Sequence, residues 1–331
     1  MKARIIFWAN LALGAALLTF MLRAYGGPAL DVLRVAPSWP LLAAFLVAVT
    51  ATIVCLSVRW GFILRGLSAP PALLILTLQR SAGHSLAVLV PSGNLGGDPL
   101  RAWLANRVGV PAGDSIASVV VDRSLEIGSA APFSIVFAAL LLQHGIPEIQ
   151  GALVTIITGT IAIGIGITLA VRRLRTGSGL VSALVRRVAS GRRMLADAPM
   201  AVIESAEIAT VQLSHQRRRL LAAFGMGLLA SLLVIAEFYC LLAAFGLPVN
   251  TTAIVAAIFA TGAARLLPIP AGIGVLEGAQ IWIFGMLGYP AEIGFAVGLA
   301  VRFREFVWMA PGLIYLLVRP RLSRSEDLRV A

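Results

Sequence analysis

Cysteine, histidine and charged residues are scarce in this 331-residue sequence, and their scarcity excludes several kinds of function. It has two cysteines and three histidines, and 13% of its residues are charged, about half the share usual in soluble domains. Cys55 and Cys240 lie in apolar runs, where a thiol acts as a small apolar group, so they predict neither a disulfide nor a metal site. No nucleophile stands near a base at a useful spacing, and the sequence therefore predicts no enzyme.

Nucleotide and nucleic-acid motifs are missing as well. The glycine-rich stretch from Gly93 to Gly97 lacks the Lys-Ser/Thr ending of a P-loop, so we expect neither a nucleotide nor another cofactor. The net charge of +12 could indicate nucleic-acid binding, but no basic patch interleaved with aromatic residues accompanies it. The three scattered histidines offer no metal-ligand spacing, so no metal site is predicted.

Apolar residues are abundant instead and make up 59% of the chain. Runs such as Leu41–Val58 and Gly151–Val171 are long enough to cross a hydrocarbon core of roughly 30 Å. The first run, Ile5–Leu22, is longer than a secretory signal core, and no small-x-small cleavage site follows it. We expect a retained anchor there, in a multi-pass protein whose surroundings are the lipid bilayer.

The positions of the basic residues predict the orientation in the membrane. Of 27 Lys and Arg residues, 18 fall in four places: Lys2 and Arg4, Arg59 and Arg65, Arg172 to Arg219, and Arg319 to Arg329. Only Arg23 and Arg34 fall in the alternate loops. This is the positive-inside bias, and it predicts that both termini are cytoplasmic.

Six full crossings fit this distribution of charge, at about 5–22, 40–58, 115–142, 150–171, 220–243 and 291–318. Two further stretches, 71–110 and 251–288, each consist of two short apolar pieces around a Pro/Gly break. The breaks contain Pro91, Gly93, Gly96 and Gly97 in the first stretch, and Pro268, Pro270, Gly272 and Gly274 in the second. We expect two re-entrant helical hairpins, because a broken backbone is tolerated in a membrane only where protein or a wet cavity satisfies it. Two ordinary spans in each stretch is the alternative.

An ungapped internal repeat relates the two halves of the chain at an offset of 179 residues. Residues 41–132 share 19 identities with the shifted positions, among them Pro91 with Pro270, Trp103 with Trp282, Arg123 with Arg302 and Glu126 with Glu305. The charge distribution places the two copies, 41–142 and 220–318, in opposite orientations. Inverted repeats with interrupted segments are typical of alternating-access transporters.

The predicted fold class is therefore an all-α polytopic membrane protein with a single membrane domain over 1–331. The segment 172–219 joins the two copies and is rich in arginine, with Leu180, Leu184, Val188 and Leu195 at near-helical spacing. It is predicted to be either an amphipathic helix on the inner leaflet or a solvated cytoplasmic linker.

Charged residues inside the spans are the candidates for function, because a charge at the centre of a spanning helix costs about 2.5–3.5 kcal/mol on insertion scales. Arg123 and Glu126 share one helix face, as do Arg302 and Glu305. Each pair either neutralises itself and locks two helices together, or presents an arginine to a central cavity. In the second case the planar guanidinium fork would suit a phosphate group.

Asp98 and Glu277 each follow a Pro/Gly break and open the second arm of a hairpin. They are predicted to cap a helix N-terminus, to form cross-repeat salt bridges with Arg302 and Arg123, or to titrate and couple transport to protons. Arg101 is a further phosphate candidate, although an i,i+3 pair with Asp98 also explains it.

Three more polar residues fall in the apolar stretches. Arg80, with His84 one turn later, either faces the same cavity or snorkels to the membrane interface. Glu237 has no obvious local partner, so it is either a proton site or the partner of a distant arginine.

Four motifs carry a resemblance to a known family: Pro91–Arg101, Val121–Glu126, Leu267–Glu277, and Arg302 followed by Trp308 and Gly312. They resemble the flippase-like membrane region of lysylphosphatidylglycerol synthases, which also occurs as stand-alone proteins, including relatives tied to hopanoid lipids. The similarity covers essentially the whole chain, with Asp98 where the family more often has glutamate. The aminoacyl-transferring synthases carry a large soluble C-terminal domain and this chain stops at Ala331, so the resemblance implies that it does not make lysyl-lipid itself.

The resemblance implies a bacterial inner-membrane protein that moves a lipid or a lipid-linked molecule between leaflets. Our hypothesis is that Arg123, Arg302 and Arg101 engage an anionic headgroup between the hairpins, amid the carboxylates of Asp98, Glu126, Glu277 and Glu305. The alternative is a non-catalytic membrane scaffold that supports a separate lipid- or hopanoid-modifying enzyme. A homo-oligomer is compatible with the sequence.

Overall fold

The computed structural model describes residues 2–33, 37–90, 96–143, 147–175, 182, 197–267 and 269–330. These ranges contain helices and turns and no strand, which confirms the predicted all-α class. The helices are α1 (Lys2–Leu33), α2 (Trp39–Leu64), α3 (Leu73–Leu89), α4 (Gly97–Asn106), α5 (Ala112–Leu142), α6 (Pro147–Arg175), α7 (Asp197–Ser214), α8 (Arg217–Ala244), α9 (Thr251–Leu266), α10 (Val275–Met286) and α11 (Ala291–Val330), with a 3₁₀ turn at Pro270–Gly272.

Five helices within these ranges are long and apolar enough to cross a membrane: Leu11–Leu33 of α1, α2, α5, Ile157–Arg175 of α6, and α8. A multi-pass membrane protein is therefore confirmed. The predicted crossing at 291–318 lies in α11, which has 40 residues but carries Arg302, Arg304 and Glu305 in its first half. Charges at this depth require partners, which the neighbouring helices supply.

The helices of the two predicted repeats begin at corresponding positions. The starting residues are Trp39 and Arg217 for α2 and α8, Leu73 and Thr251 for α3 and α9, Gly97 and Val275 for α4 and α10, and Ala112 and Ala291 for α5 and α11. Gly109 and Gly288, between the last two helices of each set, both have positive φ, at 96° and 82°. Glycine adopts that conformation freely because it has no Cβ, which explains its recurrence at this turn.

Two pairs of short helices, α3 with α4 and α9 with α10, occupy the stretches with the Pro/Gly breaks. The longest of the four, α3, has 17 residues and is about 26 Å long, less than the hydrocarbon core. In the first pair, a Cβ added to Gly97 would lie 1.9 Å from the carbonyl oxygen of Gly83, so glycine permits the close approach of the two arms.

The residues of the two breaks are only partly described. Gly96 immediately precedes α4, and Gly97 is its first residue. In the second break, Pro270 and Gly272 form the 3₁₀ turn, and Gly274, with φ of 77°, precedes α10. Pro91, Gly93 and Pro268 lie outside the described residues.

The first helices of the two repeats, α2 and α8, pack extensively against each other. The largest apolar core cluster is built mainly by the second repeat and includes Phe238, Phe284 and Phe295, none more than 1% exposed. In a bilayer such a core is stabilised by close packing rather than by the hydrophobic effect, because lipid is as apolar as the core.

The segment between the repeats is described in part. Residues 176–181 and 183–196 lie outside the described residues, and with them the leucine pattern that predicts an amphipathic helix. On either side, α6 extends to Arg175, and α7 packs on α5. Arg175 Nε donates to Ser214 Oγ at 2.8 Å and so joins the ends of α6 and α7.

Candidate functional site

Asp122 of α5 is the centre of a buried ion network. Its Oδ1 accepts a hydrogen bond from Arg59 Nε, and its Oδ2 accepts from Arg80 Nη1 and Arg101 Nη2, each at 2.7 Å. Since α2, α3 and α4 supply one arginine each, a single carboxylate ties three helices to α5. Asp122 is fully buried, and bonds between charged groups in such a site are shorter and stronger than neutral ones.

Glu126, one turn after Asp122, extends this network. Its Oε2 accepts from Arg59 Nη2 at 3.1 Å and Arg80 Nη2 at 3.0 Å, and its Oε1 accepts from Arg123 Nη1 at 3.0 Å. The predicted i,i+3 pair of Arg123 and Glu126 therefore forms, and its side chains are 22% and 34% exposed.

Asp98 of α4 completes the network at its edge. Its Oδ2 lies 3.5 Å from Arg123 Nε, and its Oδ1 lies 3.4 Å from Arg101 Nη1, as the i,i+3 spacing predicts. We call the seven residues the Asp122 cluster: Arg59, Arg80, Asp98, Arg101, Asp122, Arg123 and Glu126.

The second repeat pairs its equivalent residues around its own Pro/Gly break. Arg302 donates to Glu277 Oε1 from Nε at 3.0 Å and from Nη2 at 2.7 Å. The same guanidinium donates to the carbonyl oxygens of Ala271 and Gly272. Glu277 Oε2 accepts from the backbone N–H of Gly274 at 2.9 Å, which confirms the predicted capping role for this carboxylate.

These bonds replace the cross-repeat salt bridges considered from the sequence. Arg302 binds Glu277, and Asp98 lies beside Arg123, so each pair stays within one repeat. The physical reason is reach, because each arginine lies on the helix that packs directly against the helix of its acid, α5 on α4 and α11 on α10.

Glu237 of α8 is fully buried and is bonded on both oxygens. Its Oε2 accepts from Arg304 Nε at 2.7 Å and Trp308 Nε1 at 3.1 Å, and its Oε1 accepts from the hydroxyl of Thr52. The guanidinium carbon of Arg304 also lies 4.9 Å from the ring centre of Phe238, a cation–π distance. Of the two sequence interpretations, the structure thus supports a distant arginine partner for Glu237.

Glu305 pairs with Arg265 of α9 rather than with Arg302, its predicted i,i+3 partner. It also lies 3.9 Å from Arg304 Nη1 and 3.9 Å from His84 Nε2 of α3. We call this second network the Glu237 cluster: Thr52, His84, Glu237, Arg265, Arg304, Glu305 and Trp308. It joins α2 and α3 of the first repeat to α8, α9 and α11 of the second.

A cavity of about 290 Å³ lies between the two clusters. Its charged lining residues are Arg59, Arg80, Asp98, Arg101, Arg123, Glu126, Arg265 and Arg304. Of the residues proposed from the sequence, Arg101, Arg123, Asp98 and Glu126 thus line the cavity. Arg302, Glu277 and Glu305 are not among its described lining residues.

Positive charge exceeds negative charge around this cavity. The six arginines that line it are paired with five carboxylates, those of Asp98, Asp122, Glu126, Glu237 and Glu305. Among the described residues the region therefore carries one excess positive charge when His84 is neutral. An excess cation in a medium of low dielectric constant attracts an anion. The described residues contain no group of three or more His, Cys, Asp or Glu that could hold a metal ion.

Two buried nitrogen atoms on the lining side chains have no hydrogen-bond partner among the described residues, Arg101 Nε and His84 Nε2. Buried polar atoms in proteins are nearly always paired, so these two nitrogen atoms are exceptions. Both atoms lie on cavity-lining residues, one in each cluster.

Sequence reasoning missed Arg59 and Asp122 as site residues. It assigned Arg59 to a cytoplasmic flank, but α2 continues to Leu64 and Arg59 is 1% exposed. Arg80 lines the cavity, so the snorkelling alternative is wrong. The internal repeat could have revealed these residues. At the 179-residue offset, the charged residues Arg59, Arg80, Arg101 and Asp122 correspond to the uncharged residues Phe238, Phe259, Gln280 and Val301. Charges present in one copy alone mark where the two copies differ in their buried residues.

Comparison with known proteins adds one finding. A family model described as the lysylphosphatidylglycerol synthase TM region matches residues 7–312. The match includes both ion clusters and the cavity between them. No curated protein matches the chain.

Proposed function

The chain belongs to the lysylphosphatidylglycerol synthase TM region family, and on this premise we propose that it moves an anionic lipid or lipid-linked molecule between the leaflets of a bacterial inner membrane. Membership in the family ties the chain to lipid handling in a membrane. The observation that carries the proposal is the cavity between the two ion clusters, with six arginines against five carboxylates.

A purely structural role explains this arrangement less well. Buried ion pairs that only lock helices together offset their desolvation cost only when charge and hydrogen bonds are balanced, and an unpaired buried charge is costly. The residues around the cavity carry an excess positive charge, and two of the lining side chains have a nitrogen atom without a hydrogen-bond partner among the described residues. An anionic headgroup in the cavity would neutralise the excess charge.

We assign the headgroup contact to Arg123 and Arg101. Arg123 is 22% exposed and bonds to Glu126, which is itself 34% exposed, so a phosphate can reach its guanidinium without unfolding the network. Arg101 is held by Asp122 through Nη2 and also lines the cavity. A planar guanidinium binds two phosphate oxygens in parallel and keeps its proton, which suits transient binding of an anion in lipid.

Arg302 receives a different role in this proposal. Its bonds to Glu277 and to two carbonyl oxygens of the second break hold the 3₁₀ turn against α11. It therefore positions the second short helix pair and does not touch the substrate.

We further propose that the two repeats, 41–142 and 220–318, have opposite orientations, with both termini cytoplasmic. This proposal is supported by the positive-inside distribution of Lys and Arg. Arg59 no longer counts toward that distribution, because it is buried inside the protein. In this arrangement the pairs α3–α4 and α9–α10 are re-entrant hairpins that enter from opposite sides. Their short length and broken backbone, beside a polar cavity, support this placement.

Reconstituted protein tests the proposal directly. Vesicles contain fluorescent phosphatidylglycerol in both leaflets, and a membrane-impermeant reductant then quenches the label in the outer leaflet. Wild-type protein should expose the inner-leaflet label faster than protein-free vesicles do. Arg123→Gln should slow this exposure by about 10- to 100-fold, since a hydrogen bond to a charged group contributes roughly 1.5–3 kcal/mol.

Arg107→Gln provides the matched control, because Arg107 lies at the end of α4, is exposed, and stacks on Trp103 outside the cavity. It should retain the wild-type rate. Zwitterionic phosphatidylcholine carrying the same label should move more slowly than phosphatidylglycerol. If the wild-type protein moves neither lipid, or if both arginine variants behave alike, the proposed transport role is wrong. The scaffold alternative then gains support if deletion of the gene removes the product of a separate lipid-modifying enzyme.

A further inference from the structure

A second, apolar groove opens beside the central cavity. It has a volume of about 340 Å³ and lies between α5, α8 and α9. Its walls include Phe133 and Phe137 of α5, Ile235 of α8, and Phe259 and Ala263 of α9. None of its eleven lining residues is fully buried, so the groove is open along the side of the molecule.

The groove and the cavity adjoin each other. They share five lining residues, Ala130, Ser231, Val234, Ile258 and Gly262. One end of the combined space is therefore cationic and polar, and the other is apolar and open along the side of the molecule. This is the division of surface that a lipid requires, with an anionic headgroup on a hydrocarbon chain.

The corresponding gap in the other half of the molecule is closed. At the 179-residue offset, α5 corresponds to α11 and α3 corresponds to α9. The gap between α5 and α9 therefore corresponds to the contact between α11 and α3. There, a Cβ added to Gly312 would lie 2.3 Å from the carbonyl carbon of Ser81, which shows how closely the helices approach. The hydroxyls of Ser81 and Ser85 donate to the backbone oxygens of Trp308 and Met309, at 2.9 and 3.0 Å.

The residues that close one gap are absent from the other. The offset places Phe133 where Gly312 stands, and Ala260 and Ala264 where Ser81 and Ser85 stand. A phenyl ring in place of a glycine hydrogen separates α5 from α9, and alanine supplies no hydroxyl to bond across the gap. The sequence thus builds an opening on one side and a closed contact on the other.

We infer that the groove between α5, α8 and α9 binds one hydrocarbon chain of the lipid whose anionic headgroup occupies the central cavity. The inference rests on the proposed function. A headgroup that enters the cavity must leave its chains in an apolar medium, since each methylene exposed to water is strongly disfavoured. The groove provides that exit, whereas the contact of α3 with α11 does not. With cytoplasmic termini, Ala130 to Phe137 fall in the outer half of α5, so the chain extends into the outer leaflet.

Two substitutions in one helix test this inference in the transport assay. Ser134 lines the groove without lining the cavity, and Val136, two residues further, is 55% exposed on another face of α5. Ser134→Trp should slow phosphatidylglycerol movement by about tenfold or more, because the indole fills the space of the chain. Val136→Trp should leave the rate unchanged. Equal rates for both variants and the wild type overturn the inference while leaving the proposed function intact.

Photo-crosslinking of the wild-type protein provides a second measurement that does not depend on a variant folding. Phosphatidylglycerol with a diazirine near the end of one acyl chain is reconstituted, illuminated and mapped by mass spectrometry. Labels should concentrate on 130–137 and 258–263. Labels spread over exposed positions such as Leu74, Leu169 and Leu317 in proportion to exposure overturn the inference. A wild-type protein that is labelled in the groove but moves no lipid contradicts the proposed function alone.

Discussion

Neutralising Asp122 should destabilise the protein more than any other single removal of charge in its helix. Asp122→Asn preserves the size of the side chain and removes the charge that three arginines share at 2.7 Å. Arg59, Arg80 and Arg101 then have only Glu126 and Asp98 as acidic partners. Breaking a buried ion pair by removing one partner costs about 3–5 kcal/mol, because the remaining charge is left uncompensated.

The comparison is Asp114→Asn, the same chemical change in the same helix. Asp114 lies in the first turn of α5 and is half-buried, where a carboxylate interacts with the helix dipole. Its removal should cost about 0.3–1 kcal/mol. Purified variants in detergent are heated, and the unfolding midpoint is followed by tryptophan fluorescence. At about 2–4 °C per kcal/mol, Asp122→Asn should lower the midpoint by roughly 10 °C and the control by only a few degrees.

A double variant separates the charge effect from a general loss of packing. In Asp122→Asn/Arg80→Gln the network loses one negative and one positive charge, so the imbalance created by the single change is removed. The double variant should be more stable than the sum of its two single variants predicts, by about 0.5–3 kcal/mol. Strictly additive effects, or a midpoint for Asp122→Asn equal to that of Asp114→Asn, would refute the role of Asp122 as the centre of the network.

Two further predictions concern the second half of the molecule. Arg302→Lys keeps the positive charge but loses the guanidinium fork that reaches Glu277 and the carbonyl oxygen of Gly272. Thermal unfolding should therefore show a free energy of unfolding lower by about 1–3 kcal/mol. Unchanged stability would contradict the positioning role assigned to Arg302. Gly312→Ala should destabilise by about 1–3 kcal/mol, because the new methyl group overlaps the backbone of Ser81. Gly262→Ala is its matched control, since a Cβ there meets nothing within 4 Å, and it should be neutral or stabilising by about 1 kcal/mol. Equal effects of the two glycine substitutions would argue against the tight contact of α3 with α11.

Much of the fold follows from periodic and compositional features of the chain. Apolar runs predict the long helices, and the Pro/Gly breaks predict the short pairs around Pro270 and Gly274. The helix starts then recur at nearly the offset seen in the sequence. Boundaries are less predictable, as Arg59 shows, because α2 continues six residues beyond Val58, the predicted end of the span.

Within the candidate site, the contacts that local spacing governs were predictable. Arg123 meets Glu126, and Arg101 meets Asp98, because residues three apart on a helix are neighbours. Glu305 obeys the same spacing with Arg302, yet it binds Arg265. Local spacing permits a pair, and competing partners on neighbouring helices decide whether it forms.

What the sequence by itself determined is the helical class, the repeat, and the presence of charges that a membrane does not tolerate unpaired. Only the tertiary structure decided that Asp122 collects three arginines from α2, α3 and α4, and that Glu237 receives Arg304 from α11. The physical reason is that helix propensity and hydropathy act along the chain, whereas a buried charge is stabilised by whichever opposite charge packing brings within about 3 Å. That choice depends on how helices far apart in sequence cross, and no spacing within one helix records it.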